Sequence, residues 1–152
     1  MANTYTQLYI HIIFAVKGRA NLISTKWKDE LYKYITGIIT NKKQKLISIN
    51  GMPDHIHMLV GVKPDVIISN LVRDVKANSS RFISSKQWVS GNFQWQNGFG
   101  AFTLGHSQLN SIINYIKTQE EHHKIKSFEE EYIDFLKKYE INFESAYVFK
   151  EL

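Results

Sequence analysis

His55 and His57 stand two residues apart in the stretch PDHIHMLV, with Asp54 before them and aliphatic side chains after. On an extended strand, residues i and i+2 point to the same face. The two imidazoles would therefore project together and could take adjacent positions on a divalent metal ion, while Ile56 and Met58 face a core. A half-exposed strand that carries two histidines would look the same, so the pair alone does not decide. It also opens the His-x-His-x-His pattern of nucleotide hydrolases, but Leu59 holds the third position and that reading fails.

A second group lies in NSIINYIKTQEEHHK, residues 110–124. Residues four apart share a helix face, which stacks Tyr115 on Gln119, with His122 one turn further on. Leu109, Ile112, Ile113 and Ile116 form a separate apolar stripe. Tyr115 would sit at the edge of that buried stripe, next to an amide whose oxygen can ligate a metal. An ordinary amphipathic helix with a boundary tyrosine fits this spacing as well. His122 and His123 read as helix-end or surface histidines.

The elements that must position these groups can be read from periodicity. Residues 8–16 (LYIHIIFAV) alternate as a strand, with Tyr9 and His11 on the face opposite Ile10, Ile12 and Phe14. A helix is expected over residues 26–41, a second strand over 45–50, a turn at 51–54 and a third strand over 55–62, hairpin-paired with the second. A helix over 66–82 follows, then a loop with a short strand over 84–105. The tyrosine helix is expected to run unbroken over 108–123. Ser127 to Glu130 read as a capping box that opens a last helix to about residue 139. This order predicts an α+β fold, a ferredoxin-like or RRM-like antiparallel sheet with helices on one face, plus a C-terminal tyrosine-bearing helix.

The 152 residues are expected to form a single domain, 1–152. There is no cysteine, which excludes disulfides and thiolate–metal sites and fits a cytoplasmic location. No signal peptide is evident, and no apolar run is long enough to span a bilayer. Residues 1–119 carry 14 Lys and Arg against 5 Asp and Glu, a net of +9; residues 120–152 carry 5 against 9, a net of −4. A basic body suggests a polyanionic partner such as nucleic acid, although charge of this kind also serves solubility.

Across nearly its whole length the chain resembles the single-tyrosine HUH transposases of the insertion-sequence 200/605 group. The stretches that carry the resemblance are, in order, YIHIIFAVKGR, DHIHMLV, VRDVKANSS, FQWQNGFGAF and YIKTQEEHHKIKSFEEEY. It implies that His55, His57 and Gln119 bind Mg²⁺ or Mn²⁺. It implies further that Tyr115 attacks a phosphodiester of single-stranded DNA, leaving a 5′-phosphotyrosine link and a free 3′-OH. Implied partners are DNA hairpins at the element ends and a second copy of the chain, in a homodimer whose active site is shared between subunits. A domesticated, repeat-associated relative would keep the same site; a non-catalytic hairpin-binding protein would be expected to have lost part of it. The ligand set so implied is neutral, with no carboxylate to blunt the ion's charge.

Arg73, Lys76 and Ser80 are candidate contacts to DNA phosphates, although a solvated helix face would look alike. Trp95 and Phe99 could stack on bases, although large aromatics are more often core. His11 is read as an outward residue, either structural or a DNA contact. Gly98, Gly100 and Gly105, ahead of the tyrosine helix, could be plain turn residues or a hinge for it.

Overall fold

The alternation near the N-terminus becomes β1 (Leu8–Ala15) in a computed structural model, which describes residues 3–144. It is followed by α1 (Lys28–Asn41), β2 (Lys45–Met52), β3 (His55–Val62), α2 (Ile68–Ser85) and β4 (Gly100–Leu104). The four strands form one antiparallel sheet in the order β2-β3-β1-β4. The chain is α+β, as expected. β3 has the bounds that its pattern predicts, and β2 runs two residues further than expected before the turn at Pro53 and Asp54.

The period-2 pattern of the strands sorts their side chains between two unlike faces. Ile12 and Phe14 of β1 and Ile56, Met58 and Val60 of β3 enter the main core, against Leu31, Ile35 and Ile39 of α1 and Leu71, Val72 and Val75 of α2. The alternate residues His11, Ile13, Ala15, His55 and His57 point the other way. That second face is covered as well, by α3 (Leu109–Lys117), the short α4 (Gln119–His122) and α5 (Phe128–Lys138). Among the described residues no helix is long and apolar enough to cross a membrane.

Two local features anchor this cover. The Asn50 side-chain amide, on the β2 residue paired with His57, donates to the carbonyls of Ile116 (3.0 Å) and Lys117 (3.2 Å). It thereby satisfies carbonyls that the end of α3 leaves open. The capping box at the start of α5 forms as expected, with the Ser127 hydroxyl accepting from the Glu130 backbone N–H at 3.2 Å. Phe128, Phe135 and Leu136 then bury the inner side of α5.

The expected unbroken helix over 108–123 is interrupted. α3 ends at Lys117, Thr118 takes φ −103° and ψ 30°, and α4 starts at Gln119. The Thr118 hydroxyl bonds back to the Asn114 carbonyl at 2.9 Å, a local alternative to the helix ladder that bends helices at threonine. Gly98 has φ +85°, which suits a glycine turn, and a Cβ on Gly100 would lie 2.9 Å from the rings of Phe102 and Tyr132.

Gly51 packs against the backbone of His55. A Cβ there would lie 2.2 Å from the His55 carbonyl oxygen, which belongs to the backbone and cannot swing aside. We expect Gly51→Ala to destabilise the protein by about 1–3 kcal/mol, read as a lower urea midpoint at unchanged m-value. An unchanged midpoint would mean that the hairpin adapts freely.

Candidate active site

Strand β3 places His55 and His57 side by side on the second face, with ring centroids 5.1 Å apart and both rings fully buried. Each has a partner on its Nδ1 side that turns Nε2 toward a common point. His55 Nδ1 lies 2.7 Å from the Asp54 carboxylate, and His57 Nδ1 lies 2.9 Å from His11 Nε2. Partners of this kind set the tautomer and orientation of metal-binding histidines. Burial lowers the His57 pKa to about 4, so its ring is neutral at pH 7 and can offer a lone pair. Burial also acts to lower that of His55, but hydrogen bonds with Asp54 and Glu131 outweigh it and leave the value raised.

Gln119 meets the imidazoles from α4. It is fully buried, and its Oε1 lies 3.3 Å from His55 Nε2. His123, one turn on, also turns inward: its Nε2 is 3.1 Å from Gln119 Oε1 and its ring is 4.6 Å from that of His55. The expectation of a surface histidine is thus corrected for His123. The bend at Thr118 and the i+4 spacing from Gln119 carry it to the cluster.

Glu131 of α5 was missed in the sequence, where Asp54 stood as the nearby carboxylate. It is 4% exposed, and its Oε1 lies 2.9 Å from His57 Nε2, 3.3 Å from His123 Nε2 and 3.4 Å from His55 Nε2. Burial would raise its pKa, but hydrogen bonds from His123, His55 and His57 outweigh this and hold the carboxyl far below the usual range. The expected absence of carboxylates is therefore overturned. The signal was present: Phe128, Glu131 and Phe135 share one helix face, and a carboxylate in an apolar stripe calls for a partner.

His55, His57, His123 and Glu131 present ligand atoms that all lie within 4.8 Å of one another, a set that could hold a metal ion. Neighbouring ligands of an ion with bonds of about 2.1 Å are about 3 Å apart. The 2.9–3.4 Å contacts of Glu131 Oε1 with the three imidazoles are close to that spacing, while the set as a whole spans up to 4.8 Å, so a small divalent cation would draw the imidazoles together around it.

Tyr115 of α3 reaches the same cluster within one chain. Its hydroxyl donates to Glu131 Oε2 and its ring centroid is 5.8 Å from that of His57. Burial, followed by the charge of Glu131 and the hydrogen bond to it, raises its pKa above the ordinary tyrosine value, so the group stands as a phenol. Gln119 and Tyr115 are in contact, as their spacing predicts, with Gln119 Nε2 3.4 Å from the Tyr115 carbonyl.

The other candidates lie apart from this cluster. Arg73, Lys76, Ser80, Trp95 and Phe99 line one groove beside α2. Trp95 is buried against Phe14 and Phe93, and its Nε1 donates to Ser79 Oγ at 2.9 Å, so it is a core residue and not a free stacking platform. Lys76 donates to the carbonyls of Gln96 and Gly98, and burial lowers its pKa to about 8. Ser80 bonds back to Ala77, and Arg73 is exposed beside Asp74.

His11 is not outward as expected, and of its two readings the structural one fits. It is 1% exposed, because α5 covers the face that the strand pattern left open, and it packs against His57 and Phe135 at 5.1 and 5.2 Å. Burial lowers its pKa to about 3, which keeps it neutral. For His57 Nε2 to present a lone pair, Nδ1 must carry the proton and donate it to His11. We expect His11→Phe to keep the packing but to weaken Mn²⁺ binding by about 10–100-fold, measured by titration calorimetry. Wild-type affinity would show that His57 is oriented without His11.

Several known proteins are similar to this chain. The family described as Transposase IS200 like matches residues 4–119. The ISDra2 transposase TnpA of Deinococcus radiodurans is 26% identical over 118 residues, 74% of this chain and 84% of that protein. The transposase for insertion sequence element IS200 of Salmonella typhimurium is 25% identical over 131 residues, 82% of this chain and 85% of the other. The crystal structure of a proposed transposase from Deinococcus radiodurans R1 has a TM-score of 0.62 at 27% identity, over 78% of this chain and 95% of that one. A REP-associated tyrosine transposase bound to a REP hairpin shares the fold, with a TM-score of 0.62 at 15% identity over 81% and 73% of the two chains. On the extent of the family match, this chain belongs to the IS200-like transposase family.

Proposed function

We propose that the protein is a divalent-metal-dependent transposase that cleaves and rejoins single-stranded DNA through a 5′-phosphotyrosine link to Tyr115. The observation that carries this reading is the convergence of Tyr115, His55, His57 and Gln119, drawn from three elements, on one buried cluster. Mg²⁺ or Mn²⁺ is the proposed ion, with His55, His57 and Gln119 as ligands. Bound there, it would supply the positive charge that stabilises charge building on the scissile phosphate and the departing 3′-oxygen.

The chain's own residues do the rest. β3 and its Nδ1 partners hold the imidazoles with their Nε2 atoms inward, where each faces Glu131 as a donor and would turn a lone pair to a cation on releasing that proton. α3 delivers the phenol oxygen beside them. A groove of about 470 Å³ opens onto the phenol and offers a DNA strand a route to it; Lys126 and Lys138 line it together with the carboxylates of Glu131 and Asp134, the latter paired with Lys126. Phenol is a weak nucleophile near neutral pH, which is why the site pairs it with a cation. Attack on phosphorus would form the Tyr115 Oη–P bond and break the P–O3′ bond. One phosphodiester replaces another, so the freed 3′-OH can reverse or redirect the reaction without an external energy source.

Hairpin DNA is the proposed partner, supported by the hairpin in the neighbouring REP-associated structure and by the basic charge of residues 1–119. Arg73, Lys76, Ser80 and Phe99 are proposed to contact it from the α2 groove. A homodimer and a cytoplasmic location belong to the same proposal. The tyrosine helix reaches its own chain's histidines here, which supports a state in which the site is completed in cis.

Incubation with single-stranded hairpin DNA and Mg²⁺ should give a denaturation-resistant protein–DNA adduct. Tyr115→Phe should abolish the adduct and leave hairpin binding within about twofold of wild type, as phosphate and base contacts away from the site are kept. Adduct at the wild-type level in that variant would remove Tyr115 from its role. His57→Ala should lose cleavage and metal response together, and Mg²⁺-dependent nicking that survives the change would take His57 out of the site.

A further inference from the structure

Glu131 is the one charged group on the inner face of α5, between Phe128 and Phe135. A carboxylate buried to this degree persists in a fold only with partners for both oxygens. Its oxygens are divided between two tasks. Oε1 faces the Nε2 atoms of His57, His123 and His55 at 2.9, 3.3 and 3.4 Å. Oε2 accepts from the Tyr115 hydroxyl and lies 3.4 Å from Gln119 Nε2. Glu131 lies beyond residues 4–119, the stretch that the family match covers.

Resting on the reading of His55 and His57 as cation ligands, we propose that Glu131 is the positioning residue that joins the nucleophile to the cation centre. Oε1 serves as an anionic ligand beside the imidazoles, and Oε2 holds the Tyr115 phenol. The carboxylate is one planar group, so fixing Oε1 among the imidazoles also fixes the direction of Oε2 and of the phenol oxygen it holds. The separation of Oε1 from the three Nε2 atoms suits ligands of one ion, as shown above. The α5 helix then has a function beyond covering the sheet, since its capping box and buried phenylalanines set the height of Glu131 over the histidines.

The test compares wild type with Glu131→Ala, Glu131→Gln and His57→Ala in two assays: Mn²⁺ binding followed by electron paramagnetic resonance, and adduct formation on hairpin DNA at saturating Mn²⁺. Glu131→Ala should weaken Mn²⁺ binding by about 10–100-fold and lower the adduct yield at saturation, with hairpin binding unchanged. Glu131→Gln should lose less affinity, because an amide oxygen can ligate without charge; its size is conserved, so it decides the matter if the alanine variant does not fold. Mn²⁺ affinity equal to or tighter than wild type in these variants overturns the proposal, the tighter result showing that the carboxylate excludes the ion. A loss of affinity with full adduct yield at saturation overturns the positioning of Tyr115. If His57→Ala binds Mn²⁺ as wild type does, the cation reading fails and the role of Glu131 as a ligand falls with it. If only the Glu131 variants keep full affinity, the cation reading stands and this inference alone is lost.

Discussion

Burying a carboxylate costs several kcal/mol unless charge and hydrogen bonds offset the loss of water. The second face of the sheet is arranged around that constraint. Glu131 cannot sit under α5 without donors, and the donors are the imidazoles of His55, His57 and His123 together with the phenol of Tyr115. Those donors come from β3, the residue after α4, and α3, so the position of one side chain fixes how four elements meet. Remove the carboxylate and the imidazoles lose a shared acceptor; remove the imidazoles and a buried charge is left bare.

The alternation of β3 makes the arrangement possible. Ile56, Met58 and Val60 fill the main core with α1 and α2, so the strand is held rigidly from one side. Its other side is free to carry histidines, each oriented by a polar neighbour on Nδ1. A site built on a strand this well packed is preorganised, which a metal centre and an aimed nucleophile both require. With Glu131 among its ligands, a bound cation would keep less net charge than a set of neutral ligands would leave it. What remains would fall on the phosphate side, where the α3 groove opens.

Much of this was legible in the residues. Strand periodicity located β1 and β3 and put His55 beside His57, and the i+4 spacing put Tyr115 next to Gln119. The resemblance to single-tyrosine transposases linked the two groups, which spacing could not do because they lie about 60 residues apart. What escaped was tertiary. His11 read as outward because nothing in β1 tells that α5 will cover it, and Trp95 could not be settled between core and base-stacking because its partners Phe14 and Ser79 are distant in sequence. Glu131 was hidden in a run of three glutamates that reads as a helix start, where acidic residues favour the helix dipole for reasons unrelated to the site. Only its register with Phe128 and Phe135 sets it apart from Glu129 and Glu130.

The most direct measurement on the central claim is to trap the protein–DNA adduct on a single-stranded hairpin in Mg²⁺, digest it and locate the modified residue by mass spectrometry. The account predicts one modified peptide, spanning α3, with the DNA 5′-phosphate on the Tyr115 oxygen. An adduct at another residue, or cleavage that leaves no protein–DNA bond at all, would contradict it.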